Sequence, residues 1–138
     1  MANEKFETQN VFGQGNKNDA YAQYFIGQSY LKNLVSSDDN VNVNVGNVTF
    51  EPGCRNDWHI HHNGYQILLV TGGEGWYQED GKPAQLLHPG DVVTIHDGVK
   101  HWHGATKDSW FSHVAITTGT SEWLEPVSDV AYDALSKD

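Results

Sequence analysis

The chain has 138 residues, enough for one domain that buries its own core without staples. Eight Lys and Arg against 18 Asp and Glu give a formal charge of −10, which leaves no electrostatic footprint for nucleic acid or an anionic membrane surface. Cys54 is the only cysteine, so a disulfide framework is excluded, and no apolar run reaches membrane-spanning length. The first residues lack an apolar signal core, so a cytoplasmic protein acting on a small molecule is expected.

Residues 1–20 are polar and read as a loosely ordered arm. Tyr21 to Val35 is aromatic and apolar and predicts two short strands broken at Gly27, placed to serve as a sheet edge or a subunit contact. Ser36 to Asn40 is a turn cluster. Val41-Asn42-Val43-Asn44-Val45 alternates as a half-buried strand does, and Gly46 shifts the phase to Val48 and Phe50, which predicts a bulge there. Glu51-Pro52-Gly53 turns into the stretch richest in chemistry.

That stretch carries His59, His61, His62 and Gln66, then Ile67-Leu68-Leu69-Val70, a strand apolar on both faces. Side chains two apart in a strand share a face, so His59 and His61 project together, as do His101 and His103 further on, each pair about 7 Å apart at Cα. Two converging imidazole pairs suit Zn, Fe, Cu, Ni or Mn. Gln66 shares the inner face with Leu68 and Val70, where a buried amide needs a metal or hydrogen-bond partner.

Trp76 to Glu79 predicts a strand, Asp80-Gly81 a two-residue hairpin turn, and Lys82 to Leu87 the return strand. Val92 to Ile95 and Trp110 to Thr117 are further strands. Ser128 is a candidate N-cap for a short helix in which Val130, Ala131, Ala134 and Leu135 share a face. Short strands with turns every eight to twelve residues predict an all-β sandwich or barrel. The chain divides into an arm with edge strands (1–40), a barrel (41–120) and a tail with a helix (121–138), as one structural domain.

The string from Gly53 through His59-x-His61 and Gln66 to Gly72, with Gly90, His96-x-Gly98 and His101, resembles the two motifs of the cupin superfamily. The resemblance implies a double-stranded β-helix, jelly-roll-like. Phe50-Glu51-Pro52-Gly53, Trp58-His59-x-His61 and Lys100-His101-Trp102-His103-Gly104-Ala105 further resemble a bacterial subgroup of small single-domain cupins. That subgroup includes carboxymuconolactone-decarboxylase-associated cupins and manganese-dependent hydroxynitrile lyases. By this resemblance His59, His61, Gln66 and His101 bind one divalent metal, manganese first with Fe, Zn, Ni or Co as alternatives, and His103 is a base beside it. Four residues separate His61 from Gln66 where the lyases have three, so His62 competes for the fourth position.

Other residues have plainer expectations. His103 can ligate, act as a base or serve as a core hydrogen-bonding group. His113 reads as a satisfied core histidine at the edge of the same cavity, His88 and His96 as solvated turn residues, and Cys54, Trp58 and Trp102 as packing. Arg55 is the only arginine, so a guanidinium clamp for a carboxylate has one possible source. The expected function is a Lewis-acid lyase or isomerase acting on a small neutral or metal-chelating hydroxy or carbonyl compound. A metal-dependent dioxygenase and a non-catalytic metal or small-ligand binder are the alternatives. A homodimer is expected from the aromatic segment and from the way small barrels of this superfamily pair.

Overall fold

The computed structural model describes residues 4–137. In chain order it forms α1 (Glu4–Gln9), β1 (Asn16–Lys17), a 3₁₀ turn (Asp19–Tyr24), β2 (Phe25–Ile26), β3 (Ser29–Val35) and β4 (Asn44–Phe50). Then come β5 (Arg55–Asn56), β6 (His59–His62), β7 (Gln66–Gly73), β8 (Gly75–Glu79), β9 (Gln85–Leu87) and β10 (Val92–Ile95). The chain closes with β11 (His101–Ala105), β12 (Phe111–Thr117), β13 (Thr120–Trp123) and α2 (Asp129–Asp133).

These strands build two antiparallel sheets. One runs β1-β3-β4-β12-β7-β10 and the other β13-β6-β11-β5-β2, with β8 paired to β11 and β9 to β8. The all-β, jelly-roll class is as expected, and the β-strand period sets its interior. Along β7 Gln66, Leu68 and Val70 are buried while Ile67, Leu69 and Thr71 are only partly so. Leu68 meets Phe50, Ile95 and Phe111 in a core from which water is excluded. The second sheet's β11 is buried at all five residues, because β8 flanks it on one side and β6 and β5 on the other. Gly104 sits opposite Arg55, where a Cβ would lie 2.5 Å from the Arg55 Cβ, so the strands can approach there only without a side chain.

Several local expectations change. The N-terminal arm is docked: Phe6 of α1 is buried beside Trp110, Gln9 Oε1 accepts from the Gly73 N–H, and Asn10 Nδ2 donates to Thr49 Oγ1. Tyr21 to Tyr24 forms the 3₁₀ turn rather than a strand, although the break at Gly27 (φ 90°) stands. The valine alternation begins too early, because Asp38 Oδ1 accepts from the Asn40 and Val41 N–H groups and holds that segment in a turn, so β4 starts at Asn44. The irregularity expected at Gly46 lies across from it, between Asn33 and Val35 of β3. Asp80-Gly81 turns as expected, but in a longer loop. Lys82 is held in the turn by its N–H to the Glu79 carbonyl and its ammonium to the Glu79 carboxylate, so the return strand begins at Gln85. Ser128 caps α2, accepting from the Ala131 N–H, yet the buried residue of that helix is Tyr132 while Val130 is 83% exposed.

Tyr132 explains where Arg55 goes. The guanidinium lies 4.3 Å from the Tyr132 ring centroid, donates through Nε and Nη2 to the Val127 carbonyl and pairs with Asp129. The Tyr132 hydroxyl donates to the Ala105 carbonyl. The single arginine thus fastens the C-terminal segment to β5 and β11. Replacing Tyr132 by Ala should cost about 3 kcal/mol of unfolding free energy in urea titration, because it opens a cavity and strips that anchor. A loss below about 1 kcal/mol would show that the tail does not support the barrel.

Candidate metal centre

His59 and His61 lie on the inward face of β6, and β11 places His101 directly across from His59. The nitrogens these three imidazoles offer all lie within 4.8 Å of one another. Their orientation is set from behind. His59 Nδ1 donates to the Asp57 carbonyl at 2.7 Å and His101 Nδ1 to the Val99 carbonyl at 3.0 Å. A carbonyl accepts only, so each ring carries its proton on Nδ1 and presents a bare Nε2 to the cluster. His61 Nδ1 pairs with Ser121 Oγ at 3.1 Å, which aims its Nε2 the same way.

Gln66 arrives through the turn after β6, where Asn63 takes a left-handed conformation (φ 58°). Its amide Nε2 donates to Thr117 Oγ1 at 2.9 Å, and its Oε1 lies 3.1 Å from His61 Nε2 and 3.4 Å from His101 Nε2. Lone pairs of two imidazoles and an amide oxygen therefore face one another with no proton assigned between His101 and Gln66. A cation at their centre turns that repulsion into coordination, so the donor set fits a divalent transition-metal ion.

Burial keeps the rings neutral, as ligands must be. Desolvation, then the neighbouring His101, holds His59 well below the ordinary imidazole value. Desolvation likewise lowers His61 and brings His101 down to about 4. His62 points outward and hydrogen-bonds the Glu122 carboxylate through Nε2, so it does not compete for the fourth position.

A cavity of about 670 Å³ adjoins the cluster, lined by Asn56, His59, His61, Gln66, His103 and His113 among others. Phe25, Val48 and Ala115 give it apolar wall, and Tyr21, Tyr24 and Trp123 an aromatic one. Among the described residues no Lys, Arg, Asp or Glu lines it, and Arg55 is committed to the tail. His103 stands beside the cluster, its ring centroid 5.6 Å from His59 and 5.8 Å from His101. Cys54 is wholly buried with its thiol pushed up to about 12 by desolvation, an inert packing group as expected. His88 and His96 are exposed, and Trp102 is buried in a separate cluster with Trp76, Val127 and Tyr132.

With this geometry in view, the comparisons are specific. A family model described as the Cupin domain matches residues 46–116, the span that supplies every residue of the cluster. The chain is a cupin. This cupin is 41% identical over 115 residues to an (R)-mandelonitrile lyase from Granulicella tundricola, covering 80% of this chain and 87% of that protein. The crystal structure of a cupin-like protein from Thermotoga maritima matches it with a TM-score of 0.84 at 43% identity, over 92% of this chain and 97% of that one. A DMSP lyase from Ruegeria pomeroyi shares the fold with a TM-score of 0.61 at 19% identity, over 80% of this chain and 56% of that one.

Sequence reasoning missed the supports. Thr117 and Ser121 hold Gln66 and His61, and Trp123 stacks on His59 with ring centroids 4.5 Å apart. Ser121 and Trp123 belong to β13, whose Thr-Ser-Glu-Trp has no apolar period to mark it; its pairing with β6 puts Ser121 opposite His61 and Trp123 opposite His59. Thr117→Val keeps the shape of the site but removes the acceptor that fixes the Gln66 amide. Affinity for divalent ions, read by competition with a chelator, should fall about tenfold with the fold intact. Unchanged affinity would exclude Gln66 from the donor set.

Proposed function

We propose that this cupin is a metal-dependent lyase that cleaves a small neutral hydroxy compound of the cyanohydrin class. His59, His61 and His101 would hold the ion through Nε2 and Gln66 through Oε1, with His103 as the base. The observation that carries this reading is the inward convergence of three imidazoles, two of which, His59 and His101, have their Nδ1 protons committed to backbone carbonyls. The 41% identity to an (R)-mandelonitrile lyase supports the reaction class, and manganese is the first ion to test, on the subgroup resemblance. An ion bound by four neutral donors would supply Lewis acidity, since no ligand charge offsets its own.

The remaining work falls to the chain. His103 lines the cavity beside the cluster and, as a neutral imidazole, can accept the proton of a substrate hydroxyl. As that proton leaves, the oxygen's electron pair forms the carbonyl, and the carbon–cyanide bond breaks with its electrons on cyanide. The proton held on His103 then neutralises the leaving cyanide, so the products are an aldehyde or ketone and hydrogen cyanide. The uncharged wall favours a neutral substrate, and Phe25, Val48 and the nearby aromatics can take its apolar body.

We also propose a homodimer, on a different surface from the one expected. Tyr24 and Phe25 are spent on the cavity and on Trp123, with Tyr24 stacked 4.5 Å from that ring. The outer face of the six-stranded sheet instead presents Val45, Ile67, Leu69, Ile116 and Val92, the last 62% exposed, side by side in register. Light scattering at micromolar concentration should give twice the chain mass for wild type and a smaller mass for Val92→Lys. A monomeric wild type would refute the pairing.

The activity is tested with (R)-mandelonitrile and manganese-loaded protein. Wild type should release cyanide and benzaldehyde, and His103→Ala should lower kcat about 100-fold or more while keeping its metal. A metal-replete wild type that turns over no cyanohydrin would contradict the lyase reading, and an unimpaired His103→Ala would remove the base.

A further inference from the structure

The two side chains of β5, Arg55 and Asn56, take opposite faces of the strand. Arg55 turns outward to the Val127 carbonyl and the Tyr132 ring, so Asn56 turns inward. There it is 2% exposed and lines the cavity beside His59 and His103. A carboxamide buried that deeply normally finds partners for both its oxygen and its nitrogen.

The oxygen has its partner, and this fixes the nitrogen. Asn56 Oδ1 lies 2.9 Å from the His103 backbone nitrogen, whose N–H only donates, so the oxygen end of the amide is identified without ambiguity. Nδ2 lies 3.3 Å from each ring nitrogen of His103. Its two N–H bonds diverge too widely for both to meet a single imidazole, so one is directed at that ring and the second is left over. Among the described residues no acceptor takes the second N–H.

A cyanohydrin carries the missing acceptor. It has two polar groups, a hydroxyl and a nitrile, and in the reaction above the hydroxyl is engaged by His103 and the histidine cluster. The nitrile nitrogen is the acceptor that remains. Hydroxyl and nitrile share one carbon, so a donor in contact with the His103 ring is within reach of a substrate whose hydroxyl meets that ring.

We propose that the Asn56 carboxamide binds the substrate's nitrile, donating its second N–H to the nitrile nitrogen. The proposal rests on the lyase reading and adds the group that receives the leaving half of the substrate. As the carbon–carbon bond breaks, its electron pair moves onto cyanide, and a hydrogen bond to a neutral nitrile becomes one to an anion. No proton leaves the amide. Because the bond strengthens as charge develops, it speeds cleavage more than it tightens substrate binding.

The test is nitrogen-15 NMR of zinc-loaded wild type, which is diamagnetic, titrated with the methyl ether of (R)-mandelonitrile. That ether keeps the nitrile but has no hydroxyl proton to lose, and a counterpart ether carries a methyl group in the nitrile's place. One of the two Asn56 side-chain amide protons should move downfield with the nitrile and stay in place with the counterpart. With manganese, Asn56→Ala should lose about tenfold or more in kcat on (R)-mandelonitrile, with KM within about threefold and metal content unchanged. Asn56→Asp keeps an acceptor for the His103 N–H but has no amide donor, and should be at least as impaired. The absence of a nitrile-dependent shift at Asn56, or a wild-type kcat in Asn56→Asp, overturns the proposal. A wild type that turns over no cyanohydrin yet shows the nitrile-dependent shift overturns the lyase reading and leaves the nitrile site standing.

Discussion

Two backbone carbonyls, those of Asp57 and Val99, determine what this barrel can do. Each sits two residues before a histidine and takes its Nδ1 proton, His59 in one case and His101 in the other. The same local arrangement thus occurs at the entry to β6 and at the entry to β11, and pairing of the two strands sets the resulting bare nitrogens against each other. Without those acceptors the rings could place protons between themselves and Gln66 and form an ordinary buried hydrogen-bond cluster. With them, His59 and His101 turn bare nitrogens to the centre of the cluster, an arrangement that suits a cation.

The rest of the fold serves that constraint. Neutral ligands require a dry setting, and β11 supplies it by being buried along its whole length. Trp123 covers one face of His59, and Tyr24 covers Trp123 in turn, so that ring is shielded by two stacked aromatic layers. Desolvation is also what keeps His103 and His113 neutral, the latter down to about 3. Among the described residues the chain's acidic excess stays outside the cavity, and its single arginine is used on the tail, so the lining is polar at the histidine cluster and carries no Lys, Arg, Asp or Glu.

The histidines, the glutamine and the β architecture were legible because they depend on periodicity and spacing. Period two alone puts His59 with His61 and Gln66 with Leu68 and Val70, and the structure keeps both faces. What was not legible depends on partners distant in sequence. Ser121 lies opposite His61 and Thr117 opposite Gln66, and nothing local in Thr-Ser-Glu-Trp or in the end of β12 announces it. The valine alternation at 41–45 misled for a related reason: the Asp38 side chain captures two N–H groups and removes them from the ladder. His113 looked like a satisfied core residue, and its unpartnered Nδ1 appears only once the surrounding Phe50 and Phe111 are in place.

The most direct test is elemental analysis of the purified protein, wild type and His101→Ala together, after incubation with manganese and desalting. The account predicts about one equivalent of divalent metal per chain in wild type and little or none in His101→Ala, with both proteins folded. A folded wild type that retains no manganese, zinc, iron, cobalt or nickel would contradict it, and the converging nitrogens would then belong to a metal-free cavity.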